Sequence, residues 1–107
     1  MNILFICSRN KWRSLTAETI FKNNQKHNVK SAGTEKGARI RVSEKLIIWA
    51  DLIFVMEKRH RQRLKENFDS VINDKKIIIL DIPDDYEYMD PELIEILKSS
   101  VSEYFNN

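Results

Sequence analysis

A chain of 107 residues with a formal charge of +2, 42% hydrophobic and 32% charged residues is sized for one soluble globular domain, residues 1–107, around a single two-sided core. The charge balance is too even to argue by itself for nucleic acid, no apolar stretch reaches membrane-spanning length, and residues 1–6 are too short for a signal peptide. One cysteine rules out an internal disulfide and points to a reducing, cytoplasmic setting, while His27 and His60 are isolated and no cysteine, histidine or carboxylate cluster has metal-ligand spacing.

Asn2 to Ile6 is apolar without alternation, the pattern of a central parallel strand covered on both faces. The loop Cys7-Ser8-Arg9-Asn10-Lys11-Trp12-Arg13-Ser14 follows. Residues 14–23 then read as a helix, with Leu15, Ala17, Ile20 and Phe21 at helical spacing, Ser14 able to cap and Glu18 in the first turns. Val29 to Ala32, before Gly33, reads as a weaker strand at an edge. Glu35 to Arg41 is a charged loop, and Ser43 caps a short helix containing Leu46, Ile47 and Trp49. Leu52 to Val55 is a second buried strand. Glu57 to Phe68 is predicted as a helix with Leu64 and Phe68 inward and the run Lys58–Arg63 as a solvated face. Lys76 to Leu80 supplies a third apolar strand, followed by the acidic, turn-rich stretch Asp81–Tyr88. Asp90 caps a last helix with Pro91 at its first position, where the missing N–H costs nothing. Leu93, Leu97, Val101 and Tyr104 fall on one stripe of that helix, with Ile94 and Phe105 at its margin. Trp49 and the three methionines read as core.

Strands alternating with helices imply an α/β fold, a doubly wound, open four-stranded parallel sheet of order 2-1-3-4 with helices on both faces. The strand order reverses beside the first strand, so the ligand crevice is expected beyond its C-terminal end, where Cys7 stands. Met56 and the 81–88 loop fall on the same rim.

A thiol and a guanidinium six positions apart, on a loop between a strand and a helix, can build an oxyanion site. Amides of residues Ser8, Arg9, Asn10, Lys11, Trp12, Arg13 and Ser14 can turn inward, and the helix start adds partial positive charge. Arg13 can grip two oxygens with its planar fork, over a Cys7 thiolate favoured by the same field. The Cys-x5-Arg spacing alone arises often by chance; its place between a buried strand and a helix gives it weight.

On these residues the chain resembles the low-molecular-weight protein tyrosine phosphatase family. The family's loop cysteine, asparagine, arginine and serine fall on Cys7, Asn10, Arg13 and Ser14. The likeness continues through Thr16-Ala17-Glu18, Ser31-Ala32-Gly33-Thr34, Ala50-Asp51-Leu52-Ile53 and Met56, and resumes at Ile82-Pro83-Asp84-Asp85-Tyr86. It is greatest to a small bacterial branch of that family. Arg9 stands where the family usually has glycine, Trp12 where many members have a second cysteine, and Asp84-Asp85 where Asp-Pro is usual.

The resemblance implies hydrolysis of phosphotyrosine or a related aryl phosphate, on a phosphorylated protein or a small molecule, through a cysteinyl phosphate and without metal or other cofactor. Cys7 is the expected nucleophile, Arg13 the oxyanion clamp, and Asp84 the general acid, with Asp85 and Asp90 as alternatives. Ser14 would stabilise the thiolate and Asn10 would hold the loop. Trp12, Tyr86 and Tyr88 are candidates for the substrate rim. Two other readings remain: arsenate reduction with an external thiol, and a non-catalytic module in which the loop binds an anion and the Lys58–Arg63 helix binds RNA or an acidic protein. Nothing in the sequence speaks to oligomeric state.

Overall fold

The opening apolar run becomes β1 (Asn2–Cys7) in a computed structural model that describes residues 1–105. The remaining elements follow in the expected alternation: α1 (Arg13–Phe21), β2 (Asn28–Gly33), α2 (Glu44–Trp49), β3 (Leu52–Val55), α3 (Lys58–Asn67), α4 (Asp69–Ile72), β4 (Lys76–Ile79) and α5 (Pro91–Phe105). The four strands form one parallel sheet in the order β2-β1-β3-β4, as the sequence implied. Ile3 lies between Val29 on one side and Leu52 on the other, and Ile53 pairs with Ile77.

Side chains alternate across the sheet with the period of two that a strand imposes. Ile3, Phe5, Cys7, Leu52, Phe54 and Met56 face α1 and α5, meeting Ala17, Leu93, Leu97, Val101 and Phe105. Leu4, Ile6, Ile53 and Val55 face the other helices, meeting Ile47, Leu64 and Ile72. Phe5 stacks with Phe54 at 5.1 Å and Phe21 stacks with Phe105 at 4.4 Å, so the first face is largely aromatic. Among the described residues no helix is long and apolar enough to cross a membrane.

Capping explains where two helices begin. The Ser43 hydroxyl accepts the Leu46 N–H at 3.2 Å, and Asp90 Oδ1 accepts the Glu92 N–H at 2.9 Å ahead of Pro91. Ser14 does not cap α1: Trp12 is the N-cap residue, without a side-chain bond, because the Ser14 hydroxyl is turned toward Cys7. The predicted helix ending at Phe68 stops at Asn67, and Phe68, with φ −134°, leads into the one-turn α4. The apolar stripe of α5 continues from Val101 to Phe105, at the same four-residue spacing, rather than to Tyr104. Tyr104 is half-buried and packs edge-on against Phe54. Of Trp49 and the three methionines, all expected in the core, only Met56 is fully buried. Met1 is exposed, Met89 is half-buried at a positive φ of 62°, and half-buried Trp49 offers its ring to the Lys30 ammonium at 4.6 Å.

Candidate active site

The loop between β1 and α1 is shaped from behind by the segment that follows β2. The carbonyls of Cys7, Ser8 and Arg9 accept the N–H groups of Thr34, Glu35 and Arg39 at 3.0, 2.9 and 2.9 Å, and the Asn10 carbonyl accepts Arg39 Nε at 3.3 Å. A trans peptide points its N–H opposite to its C=O. Four successive carbonyls tied outward therefore turn the amides of Ser8, Arg9, Asn10 and Lys11 to the inner side. Among the described residues no amide from Ser8 to Trp12 donates within the chain. Gly33 permits this close approach: a Cβ there would lie 2.5 Å from the Ser8 carbonyl oxygen and 2.9 Å from the Arg9 carbonyl carbon.

Asn10 makes the tightest bend, with φ 55°, a left-handed conformation that asparagine tolerates better than most residues. Its buried side-chain amide spends both donors, one on Ser14 Oγ and one on Ser31 Oγ, each at 2.8 Å, and Ser31 donates onward to Glu18 Oε1 at 2.7 Å. Ser14 Oγ, already an acceptor from Asn10, lies 2.9 Å from Cys7 Sγ. The serine's one proton has two acceptors in reach, a thiolate at that position and the Ala32 carbonyl at 3.4 Å, and the contact to sulfur is the shorter.

Arg13 is only 2% exposed. Its Nη1 donates to Glu57 Oε2 at 2.6 Å and to the Ile82 carbonyl at 2.8 Å, which uses both hydrogens of that nitrogen. The other edge of the fork, Nε and Nη2, is left for a bidentate acceptor, with Asp84 Oδ1 3.6 Å from Nε. Glu57 also receives Arg59, at 2.9 and 3.3 Å. Partial burial pushes the Glu57 carboxyl up, but the hydrogen bonds and charges of Arg13 and Arg59 outweigh it and hold the group below its ordinary range.

These parts line one cavity of about 260 Å³. Cys7 and Ser8 lie with Arg13 and Asp84 in its wall, Arg9, Lys11, Arg59 and Glu35 complete the charged lining, and Trp12 stands with them, the Lys11 ammonium 5.5 Å from its ring centre. Four cations against two carboxylates make it a cationic pocket. Asp85 is not part of the lining, and Asp90 is occupied as the cap of α5. Nor do Tyr86 and Tyr88 line it: half-buried Tyr86 packs against the α1/α5 face of the core, and Tyr88 shares a hydrogen bond with Thr19 at 3.0 Å. Buried Met56 likewise belongs to the core and not to the rim.

Arg59 and His60 are site residues that the sequence reading left on the solvated run Lys58–Arg63, and Glu57 is one that it read only as the start of that helix. The end of β3 delivers the start of α3 to the loop. His60, 1% exposed, accepts the Glu57 N–H through Nδ1 at 3.0 Å, so its proton is on Nε2 and is donated to Ser8 Oγ at 2.9 Å. The available signal was spacing: His60 and Leu64 are four apart, hence on one face, and Leu64 faces inward.

Burial, with Arg13 and Arg59 nearby, pushes the His60 pKa down from 6.5 to about 4. The unfolded chain therefore takes up this proton first as pH falls. The stability held by neutral His60 is complete above about pH 6.5 and is lost as pH falls toward 4, by about 2 kcal/mol at pH 5. Urea unfolding between pH 7.5 and 5 is expected to show that loss, and His60→Gln is expected to remove its share of the slope. His27, also pushed down by burial, the N-terminal ammonium and Lys26, adds a slope of the same sign that the variant retains. An equal pH dependence in the two proteins would refute the assignment.

Residues 2–48 match the model of a family described as low molecular weight phosphotyrosine protein phosphatase. No curated protein matches the chain by sequence. Among solved structures, the tyrosine phosphatase Wzb from Escherichia coli K30, in complex with phosphate, is similar with a TM-score of 0.79 at 20% identity, covering 98% of this chain and 96% of that one. Wzb from Vibrio vulnificus, in complex with benzylphosphonate, gives 0.78 at 20% identity over 98% and 97%. A mutant of YwlE arginine phosphatase with a phosphorylated active site serine gives 0.73 at 22% identity over 100% and 97%. The likeness read from the loop is thus seen again in a sequence match over the N-terminal part and in a shared fold over nearly the whole chain.

Proposed function

We propose that this chain, which shares the fold of the low molecular weight phosphatases and their sequence pattern over residues 2–48, is itself a phosphatase that hydrolyses phosphotyrosine or a related aryl phosphate through a phosphocysteine. The observation that carries this reading is the convergence of Cys7, the open Nε/Nη2 edge of Arg13 and Asp84 on one cationic cavity beneath inward amides.

In the first step the Cys7 thiolate attacks phosphorus in line. An S–P bond forms, the P–O bond to the aryl group breaks, and Asp84 gives its proton to the departing phenolate. The amides of residues 8–11 and the Arg13 edge hold the three equatorial oxygens as charge builds on them. In the second step water attacks phosphorus while the Asp84 carboxylate takes its proton. The S–P bond breaks, phosphate leaves and the thiolate returns, kept by the Ser14 hydroxyl. A neighbour of the same fold carrying a phosphorylated active site serine supports a covalent step, and neighbours holding phosphate and benzylphosphonate support an aryl phosphate.

Trp12 at the cavity offers a flat surface to a substrate ring. A phosphoarginine would bring its own cationic guanidinium against Lys11 and Arg59, which favours the aryl substrate over the one in the name of the YwlE neighbour. Arsenate reduction has less support, because the chain's single cysteine leaves no second thiol for a relay. A single free thiol also fits the reducing cytoplasm, where the expected partner is a phosphorylated protein or a small aryl phosphate.

The test compares p-nitrophenyl phosphate with phosphotyrosine. The wild type is expected to hydrolyse both. Asp84→Asn is expected to slow phosphotyrosine about 10²- to 10³-fold and p-nitrophenyl phosphate far less, since nitrophenolate departs without a proton. Equal losses on both would move the acid role away from Asp84, and no turnover by the wild type would overturn the function.

A further inference from the structure

A second cavity, of about 180 Å³, adjoins the first and shares Ser8, Glu35 and Arg59 with it. Its own walls are Thr34, His60, Gln62 and Arg63. The charges there do not balance. Glu35 lies 3.4 Å from Arg9 Nε, and His60 is neutral because its Nδ1 accepts a backbone N–H. Arg59 and Arg63 lie one helical turn apart on the same side of α3, but Arg59 is paired with Glu57 at 2.9 Å, so the uncompensated charge is that of Arg63. Arg63 is exposed and makes no hydrogen bond or ion pair among the described residues. It is a guanidinium fork without an acceptor, beside a pocket built for an anion.

We infer that this second cavity is a subsite for the carboxylate of an acidic residue one or two positions from the phosphorylated one, so that the substrate class is an acidic phosphopeptide. The inference rests on the phosphatase reading of the first cavity. Neighbouring residues of an extended peptide are about 3.3–3.6 Å apart along the chain, and the two cavities adjoin through the shared wall of Ser8, Glu35 and Arg59. Arg63 then acts on substrate choice through a bidentate contact with the carboxylate, and Arg59 contributes charge from the shared wall.

The test is binding, measured by fluorescence anisotropy with labelled peptides that carry a non-hydrolysable phosphonate in place of phosphotyrosine and are flanked by Glu, Gln or Lys. The wild type is expected to bind the Glu peptide about three- to tenfold more tightly than the Gln peptide. Arg63→Gln is expected to erase that preference, Arg63→Lys to keep part of it, and Arg63→Glu to reverse it toward the Lys peptide. Equal affinities for the three peptides, or a preference that survives Arg63→Glu, would overturn the subsite. A labelled oligouridine that binds more tightly than every peptide and depends on Arg63 would overturn it in favour of nucleic acid. Binding is read without turnover, so the subsite stands or falls separately from the hydrolysis of p-nitrophenyl phosphate, which tests the first cavity alone.

Discussion

Replacing Cys7 by serine is expected to reduce turnover of p-nitrophenyl phosphate by about 10³-fold or more while leaving the fold intact. The reaction needs an anionic nucleophile, and a thiol ionises far more readily than a hydroxyl. The Ser14 hydroxyl, 2.9 Å from Cys7 Sγ and already accepting from Asn10, can turn its proton to that anion in preference to the more distant Ala32 carbonyl at 3.4 Å. A serine at position 7 has no such charge to offer, and among the described residues the side chain that position 7 meets is the Ser14 hydroxyl, which is no base. The substituted side chain is smaller and stays in the same buried position, so circular dichroism and the melting temperature should change little. Phosphate should still bind, because the amides and Arg13 are untouched. Turnover within tenfold of the wild type would mean that another group performs the attack.

Arg13→Lys is expected to cost about 10²- to 10³-fold in kcat for the same substrate and to raise the inhibition constant of inorganic phosphate. The wild-type guanidinium does two jobs at once. Nη1 is anchored by Glu57 and by the Ile82 carbonyl, and the anchored group presents its remaining edge to the anion. An ammonium is a point charge on a flexible stem and cannot do both. Stability should fall as well, by about 1–3 kcal/mol, because a buried carbonyl loses its donor and Glu57 keeps only Arg59. A lysine variant with wild-type kcat and unchanged phosphate inhibition would show that the bidentate edge is not used.

What the sequence made legible was whatever depends on continuous runs and local spacing. The unbroken apolar strands Asn2–Ile6 and Leu52–Val55, with the pattern of alternation, were enough for the sheet order, and the strand–loop–helix setting of Cys7 and Arg13 located the cavity. What stayed hidden depends on where distant segments meet. Arg59 and His60 sit in a run, Lys58–Arg63, that is locally polar and reads as a wet helix face, and Glu57 caps it. Only the docking of α3 at the end of β3 reveals that its first turn grips Arg13 and Ser8. Ser14 was ambiguous for a different reason: a serine at a helix start can cap or can reach elsewhere, and here the thiol and the Asn10 amide win. Tyr86 and Tyr88 were placed by proximity to Asp84 in sequence, but their backbone turns them toward α1 and the core.

The outward ties on the carbonyls of residues 7–10 carry a consequence for how this segment can change over generations. The receiving surface is woven from main chain, so the side chains at positions 9 and 12 are bystanders to its shape. Arg9 does not adopt a left-handed conformation, and so nothing in its backbone demands a glycine. Trp12 is likewise accommodated, because its bulk stands at the cavity and not in the weave. Substitution there would alter what the cavity meets and leave its frame standing, whereas a change at Asn10, Gly33 or the stretch that backs them would disturb the frame itself.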